Sequence, residues 1–125
     1  MVELTTYTAD IDHVDDGRLI GVVSTITVAE LSMGYYAAGD EAGLKRFLLH
    51  ILSSENYQLV DVNSGVAELA GKIRAESGLR LPDACIVASG LKAGASSVVT
   101  CDEEFRKAEK VLKSVSPSEF LASFP

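Results

Sequence analysis

The sequence is poor in the features that mark several large classes of protein. It has two cysteines in 125 residues, and because Cys85 and Cys101 lack the spacing of metal ligands, we expect both to be reduced and buried as small hydrophobic residues. No apolar stretch approaches the roughly 20 residues needed to cross a bilayer. The N-terminus has no basic segment followed by an apolar one, so no secretory signal is predicted. These absences predict a cytoplasmic protein with no membrane partner.

Positive charge is also scarce. The net charge of −7 argues against tight nonspecific binding to nucleic acid through bulk electrostatics. No basic segment is interleaved with aromatic residues, so base stacking is not predicted. An acidic nuclease is still allowed, because bound cations can bring a phosphate to a carboxylate site.

The chain does contain an alternation of strand-like and helical segments. Its composition, 47% hydrophobic and 23% charged, is that of a globular protein, and residues 1–125 are predicted to form a single domain. Strands alternating with helices predict an α/β fold, a doubly wound parallel sheet with helices on both faces and a site at the edge where the strands end. Strands are predicted at 19–26, 57–62, 97–100 and, at a sheet edge, 113–115; helices are predicted at 28–38, 41–52, 64–77, 83–93 and 103–112, with a short one at the end.

Three acidic residues lie at junctions between these elements. Glu30 follows the first of the strands, Asp83 opens a helix, and Asp102 follows the strand at 97–100. Each has a structural alternative: Thr27 and Glu30 have the spacing of a capping box, and the two aspartates suit helix starts. Together the acids would repel one another unless a cation, a shared proton or a basic partner accompanied them. Oxygen ligands favour Mg²⁺ or Mn²⁺. The sequence leaves open whether Asp83 reaches the same edge.

Three motifs resemble those of PIN domains: TVAEL at 27–31, LPDACIVASGLKAG at 81–94 and VVTCDEEFRK at 98–107. Over about residues 18–122 the chain is similar to this family of metal-dependent ribonucleases, which are common as the toxin of prokaryotic toxin–antitoxin pairs. The resemblance implies an RNA substrate, a Mg²⁺ or Mn²⁺ cofactor, and an antitoxin protein and a homodimer as partners. It also implies that Glu30, Asp83 and Asp102 are three of four acidic metal-site residues, catalytic together with Thr100, the hydroxyl residue before the last acid.

The N-terminus departs from the family pattern. Family members open with a central strand that ends in the first acid, whereas Leu4, Tyr7, Ile11 and Val14 have helical spacing and predict a helix over residues 3–15. If residues 2–8 were the strand, only residues 11–18 would lead to the next strand, fewer than the dozen that a parallel crossover needs. We therefore expect the central strand to be missing from the sequence, upstream of Met1. The first acid is accordingly not assigned to Asp10, Asp12, Asp15 or Asp16.

Two other functions stay open at this point. One is a catalytically inactive PIN-like module that binds or assembles, which the unassigned first acid favours. The other is a receiver-like phospho-acceptor, but the segment 100–102 does not supply the lysine that such a protein needs. Several basic residues are candidates for RNA contact, but a helix end or a solvated face is the favoured interpretation of each: Arg74, Arg80, Lys92, Arg106, Lys107, Lys110 and Lys113. The apolar segment VAELSMGYYAAG at 28–39 is interpreted as core in preference to a docking surface.

Overall fold

The computed structural model of the chain describes the backbone of residues 2–4 and 19–123 and the side chains of residues 19–122. Within these residues strands alternate with helices, as predicted. The strands are β1 (Val2–Leu4), β2 (Gly21–Ser24), β3 (Tyr57–Val60), β4 (Ser97–Val99) and β5 (Lys113–Val115). The helices are α1 (Thr25–Ala37), α2 (Glu41–Ser53), α3 (Ser64–Ser77), α4 (Leu81–Ala93) and α5 (Pro117–Ser123), with a 3₁₀ helix at Glu103–Ala108. No helix among the described residues has both the length and the apolar character to cross a membrane.

The described strands form one parallel sheet in the order β3-β2-β1-β4-β5. From the central strand β1 the chain builds the sheet outwards through β2 and β3. It then crosses to the other side of β1 for β4 and for β5, which lies at the edge as predicted. The sheet is therefore doubly wound, and a crevice is expected at the carboxyl ends of the strands, where the winding direction changes.

The position of β1 corrects the prediction for the N-terminus. Val2 pairs with Gly21 of β2 and with Ser97 of β4, so the expectation of a missing central strand is wrong, as is the predicted helix at residues 3 and 4. Because β1 ends at Leu4, residues 5–20 are available for the crossover to β2, more than the dozen it needs. Backbone pairing on both sides outweighs a weak helical spacing in so short a segment. Outside the described residues lie positions 5–15 of the predicted helix and Asp10, Asp12, Asp15 and Asp16.

Helices cover both faces of the sheet. Val98 packs in a core cluster with residues of α3, α4 and the 3₁₀ helix. Its neighbour Val99 packs in a second cluster with Val23, Phe47 of α2 and Phe120 of α5. Since successive side chains of a strand point to opposite faces, the two clusters lie on opposite sides, and the predicted doubly covered sheet is confirmed.

The turn from β2 into α1 determines where that helix begins. Ser24 is the N-cap residue, and its Oγ accepts a hydrogen bond from the backbone N–H of Ile26 at 3.2 Å. In the next residue, Thr25, Oγ1 accepts the backbone N–H of Val62 at 3.1 Å and ties the helix to the segment after β3. As a result α1 starts at Thr25. The sequence pattern predicted a later start, at Val28.

The path into α4 places the other half of the site. Gly78 ends α3 in the left-handed conformation, with φ 76°, which glycine adopts without steric cost. Pro82 lies in the first turn of α4, where its missing N–H costs nothing. Leu81 and Pro82 are exposed, but the segment from Asp83 to Gly90 is buried, so packing from the third residue of the helix onward holds Asp83 in place.

The helix predicted at 103–112 is shorter and tighter than expected. It is a 3₁₀ helix that ends at Ala108. Its two buried residues, Phe105 and Ala108, are three positions apart, which matches the three-residue turn of a 3₁₀ helix.

Candidate active site

A pocket of about 310 Å³ lies where α1, the start of α4 and the segment after β4 meet. The four predicted site residues, Glu30, Asp83, Thr100 and Asp102, all line it. The question that the sequence left open is therefore answered, because Asp83 lies at the same sheet edge as the residue after β4. The remaining lining residues are Thr27, Leu31, Arg80, Ile86, Cys101 and Phe105.

Asp83 is the buried acid of this pocket, with 5% of the residue exposed. It is not the N-cap of α4, because that position is taken by Arg80, which makes no side-chain capping bond. The Asp83 carboxylate instead accepts a hydrogen bond from Arg80 Nε at 3.0 Å and forms an ion pair with Arg80 Nη2 at 2.8 Å. A buried charge is costly unless it is paired and hydrogen-bonded, so this contact stabilises Asp83 in its position.

The same guanidinium reaches a second acid. Arg80 Nη2 lies 3.3 Å from Oδ2 of Asp102. One nitrogen therefore stands between the Oδ2 atoms of Asp83 and Asp102. The 2.8 Å distance to Asp83 is within the range of charge-assisted hydrogen bonds, and the 3.3 Å distance to Asp102 is somewhat longer than that range. The two carboxylates therefore share one positive charge.

Asp102 has two tasks in the structure. Its Oδ1 accepts the backbone N–H of Glu104 at 3.0 Å and caps the 3₁₀ helix, so the capping interpretation is confirmed for this acid. Its Oδ2 faces Arg80. The buried Thr100 fixes the turn, because its Oγ1 accepts the backbone N–H of Asp102 at 3.0 Å.

Glu30 lies at the mouth of the pocket. The capping-box interpretation is wrong for this residue: with Ser24 as N-cap of α1, Thr27 is already inside the helix and Glu30 is a turn beyond the position that a capping box uses. The residue as a whole is exposed, but partial burial of its carboxyl raises its pKa. The negative charge of Asp83 raises this pKa further, while Arg80 lowers it. Glu30 therefore holds a proton more readily than an ordinary glutamate does.

Thr27 is a site residue that the sequence pattern did not single out. It is 5% exposed and lines the pocket. Its Oγ1 has no hydrogen-bond partner among the atoms that the structure describes, although buried hydroxyls nearly always have one. A hydroxyl one turn before Glu30 was a detectable signal, but it was assigned to capping.

Cys101 corrects a further prediction. Cys85 is buried as expected, and burial raises the pKa of its thiol. Cys101 is exposed and lines the pocket. The difference arises because β4 ends at Val99, so that Cys101 has already left the sheet.

The donor set is suited to a hard divalent cation. Two carboxylates converge on one cationic nitrogen, and buried hydroxyls stand nearby; Mg²⁺ in proteins is commonly held by one or two carboxylates, completed by water and phosphate oxygens. Among the described side chains, no group of three His, Cys, Asp or Glu residues is arranged to hold one ion. The Oδ2 atoms of Asp83 and Asp102 both face Arg80 Nη2, so these two carboxylates are the pair that such an ion would use, and joint ligation by Glu30 stays a prediction.

Residues 10–111 match the family model of the PIN domain. The chain belongs to the PIN domain family. No curated protein sequence matches it significantly.

Solved structures share the fold of this PIN domain. FitAcB from Neisseria gonorrhoeae is similar with a TM-score of 0.68 and 20% identity, over 94% of this chain and 99% of that chain. VapBC2 from Rickettsia felis, bound to a DNA fragment from their promoter, has a TM-score of 0.66 and 16% identity, over 93% and 98%. A toxin–antitoxin complex from Klebsiella pneumoniae has a TM-score of 0.65 and 21% identity, over 93% and 96%. At these identities the likeness shows the fold.

Four of the seven basic residues considered for RNA contact line the pocket or contact other groups in this PIN domain, and RNA contact by any of the seven stays a prediction. Of the described candidates, Arg80 lines the pocket. Arg74 donates from Nη1 to the backbone carbonyl of Gly78 at 2.6 Å and closes the end of α3, as the helix-end interpretation expects. On the 3₁₀ helix, Arg106 and Lys107 form ion pairs with glutamates.

The exposed side of α1 contradicts the interpretation of segment 28–39 as core. Met33 is 67% exposed and Tyr36 is 61% exposed. On another side of the helix, Tyr35 stacks on Phe47 of α2 at 6.2 Å between ring centroids. These rings line a largely apolar groove between α1 and α2 that also contains Glu30, so it adjoins the acidic pocket.

Proposed function

We propose that this PIN domain is a metal-dependent endoribonuclease that hydrolyses phosphodiester bonds of RNA, with Mg²⁺ or Mn²⁺ as its cofactor. The observation that carries the proposal is the convergence of Glu30, Asp83 and Asp102 in one pocket at the carboxyl edge of the sheet. Three carboxylates against the single positive charge of Arg80 leave this pocket net negative, so a phosphodiester substrate requires a further cation there. Membership of the PIN domain family and the fold shared with a toxin–antitoxin complex support the same function.

The proposed roles follow from the positions of the side chains. Asp83 and Asp102 hold the cation through the oxygens that now face Arg80. Thr100 keeps Asp102 in place through its hydrogen bond to the backbone. Glu30 orients the attacking water and takes its proton at the carboxylate, a role for which a raised pKa is suited. When bound, the cation would lower the pKa of a water molecule and would stabilise the charge that develops on the phosphate.

Cleavage of RNA by the purified protein tests this proposal. We expect fragments from a single-stranded RNA in the presence of Mn²⁺ or Mg²⁺ and none in EDTA. Asp83→Asn should abolish cleavage, because the buried ligand loses its charge. The matched control is Glu68→Gln, which neutralises an exposed carboxylate on α3 outside the pocket and should cleave like the wild type.

The other outcomes have definite meanings. Cleavage that persists in EDTA, or that Asp83→Asn leaves intact, would contradict the proposed site. RNA binding without cleavage under any metal would favour the inactive binding module. Cleavage of DNA in preference to RNA would assign a different substrate to the same site.

We also propose that the protein is the toxin of a toxin–antitoxin pair and that its partner is a small antitoxin protein. The support is the shared fold with the toxin–antitoxin complex from Klebsiella pneumoniae and the exposed apolar residues Met33 and Tyr36 on α1. Expression of this chain alone should slow bacterial growth, and co-expression of the product of an adjacent small gene should restore growth and co-purify with it. Growth unaffected by expression of the active nuclease would contradict the toxin assignment.

A homodimer through α1 is a separate proposal that uses the same exposed residues. Analytical ultracentrifugation should show a dimer in the wild type and its dissociation in Met33→Glu, which places a charge at the centre of the exposed face. A wild-type monomer at all accessible concentrations would reject the dimer.

A further inference from the structure

Arg80 holds an unusual position for a basic residue, because it lies inside the acidic pocket. Of the described residues that line this pocket, Arg80 alone carries a positive charge. Nε and Nη2 both contact the same Asp83 oxygen, at 3.0 Å and 2.8 Å, and Nη2 also faces Asp102 at 3.3 Å. A guanidinium nitrogen therefore occupies the place between the two aspartates where a bound cation would be closest to both.

We propose that Arg80 is a built-in counter-ion that occupies the cation position between Asp83 and Asp102 and must leave it when a divalent ion binds, so that Arg80 determines the metal affinity of the site. This inference depends on the proposed function, since it assumes that the two aspartates bind a metal. It assigns to Arg80 a positioning role in the pocket rather than the RNA contact considered from the sequence.

Two physical arguments support the competition. An Mg²⁺ ion needs oxygens at about 2.1 Å, whereas the Asp83 oxygen already accepts two contacts from Arg80, so the guanidinium and the ion cannot occupy the same place. Without a counter-ion, the buried Asp83 would keep an unpaired charge, which is strongly unfavourable. The pocket is therefore stable with either Arg80 or a divalent cation between the aspartates.

Arg80 is also able to leave. Its side chain is 64% exposed, and both ion pairs that the structure shows for it end on pocket carboxylates. The residue takes the N-cap position of α4 through its backbone and makes no side-chain capping bond. Its long side chain can therefore turn into solvent without disturbing the start of the helix.

The competition can be measured as metal binding, without any activity assay. Mn²⁺ binding to the purified full chain is titrated by calorimetry in about 150 mM salt, which screens distant charges. Arg80→Gln should bind Mn²⁺ about tenfold more tightly than the wild type, the order of effect expected when hydrogen bonds to charged groups no longer compete. Its thermal midpoint in EDTA should be lower than that of the wild type, because the aspartates lose their counter-ion.

Arg106→Gln is the matched control. Arg106 is also ion-paired, with Glu103 at 3.0 Å and Glu119 at 3.3 Å, but it lies outside the pocket. The substitution changes the net charge by the same amount and should alter Mn²⁺ affinity less than about twofold at this ionic strength. Equal tightening in Arg80→Gln and Arg106→Gln would show a general charge effect and overturn the inference.

The remaining outcomes separate this inference from the proposed function. If the wild type binds Mn²⁺ and Arg80→Gln binds it no more tightly, the counter-ion role is wrong while the metal site stands. If neither folded protein binds Mn²⁺, the proposed metal site itself fails, and the inference fails with it. If Arg80→Gln does not fold, Arg80→Lys is tested instead, because it keeps the positive charge but loses the two-nitrogen contact with Asp83. An Mn²⁺ affinity of Arg80→Lys above that of the wild type supports the competition, and an unchanged Mn²⁺ affinity overturns it.

Discussion

The buried hydroxyl of Thr27, which has no hydrogen-bond partner within the described part of the chain, leads to a prediction with an unusual sign. Most substitutions of buried residues destabilise a protein, but Thr27 Oγ1 is buried without a partner in the described structure. An unsatisfied buried hydroxyl costs about 1–3 kcal/mol. Valine has nearly the same shape and no polar atom, so Thr27→Val should raise the free energy of unfolding of the metal-free protein by about 1 kcal/mol. For a domain of this size the midpoint of thermal unfolding should rise by about 4 °C.

The same helix provides a control with the opposite sign. Thr25 is two residues earlier, and its Oγ1 accepts the backbone N–H of Val62 at 3.1 Å. Thr25→Val is the identical chemical change, but it leaves that N–H without a partner and should destabilise by about 1–3 kcal/mol. The difference between the two variants therefore isolates hydrogen bonding from shape and from helix propensity.

Urea unfolding followed by circular dichroism, in EDTA, gives both free energies. The reasoning is refuted if Thr27→Val destabilises the protein as much as Thr25→Val does, because Thr27 would then have a hydrogen-bond partner. If Thr27→Val is stabilising in EDTA but gains less from added Mn²⁺ than the wild type gains, the hydroxyl donates to a group that is present only with the metal.

Two further predictions concern the acids of the pocket. Because the pKa of Glu30 is raised in the folded state by partial burial and by Asp83, its favourable contribution to stability is present at acid pH and is lost as pH rises through the raised pKa. In EDTA, Glu30→Gln should therefore be more stable than the wild type at neutral pH, and this difference in stability should disappear as pH falls below the ordinary glutamate pKa. A difference in stability that does not depend on pH would contradict the argument from burial. Asp102→Asn keeps the cap on Glu104 and should cost less than about 0.5 kcal/mol in chemical unfolding, whereas Asp102→Ala should cost about 0.5–2 kcal/mol. Equal losses in the two variants would show that charge rather than capping decides the stability at Asp102.

Much of the fold was predictable because local patterns and tertiary structure agree. Continuous apolar runs predicted β2 and β4, helical spacing predicted α3, and Gly78 marked the end of that helix. These elements bury their apolar side chains between the single sheet and the helices that cover it, so the local preference and the packing favour the same structure. The N-terminus was mispredicted because β1 has three residues (Val2–Leu4), too few for any periodicity, and because its pairing partners are distant in sequence.

In the candidate site, too, some features follow from the local sequence and others depend on contacts between distant residues. The sequence by itself determined which side chains carry negative charge and that Glu30, Asp83 and Asp102 follow or open elements of a parallel sheet, which brings such positions to one edge. It could not decide which of them cap helices, because the start of α1 depends on Ser24 and on the hydrogen bond that the backbone N–H of Val62, 37 residues away, donates to Thr25.

Only the tertiary structure decided the surroundings of the acids. The contact of Arg80 with Asp102 joins residues 22 positions apart, and the burial of Thr27 results from helices packing over the sheet edge. Composition and spacing identify the chemical groups of a site. Their protonation, their counter-ions and their unsatisfied hydrogen bonds depend on distances of a few ångströms, which exist only after the chain has folded.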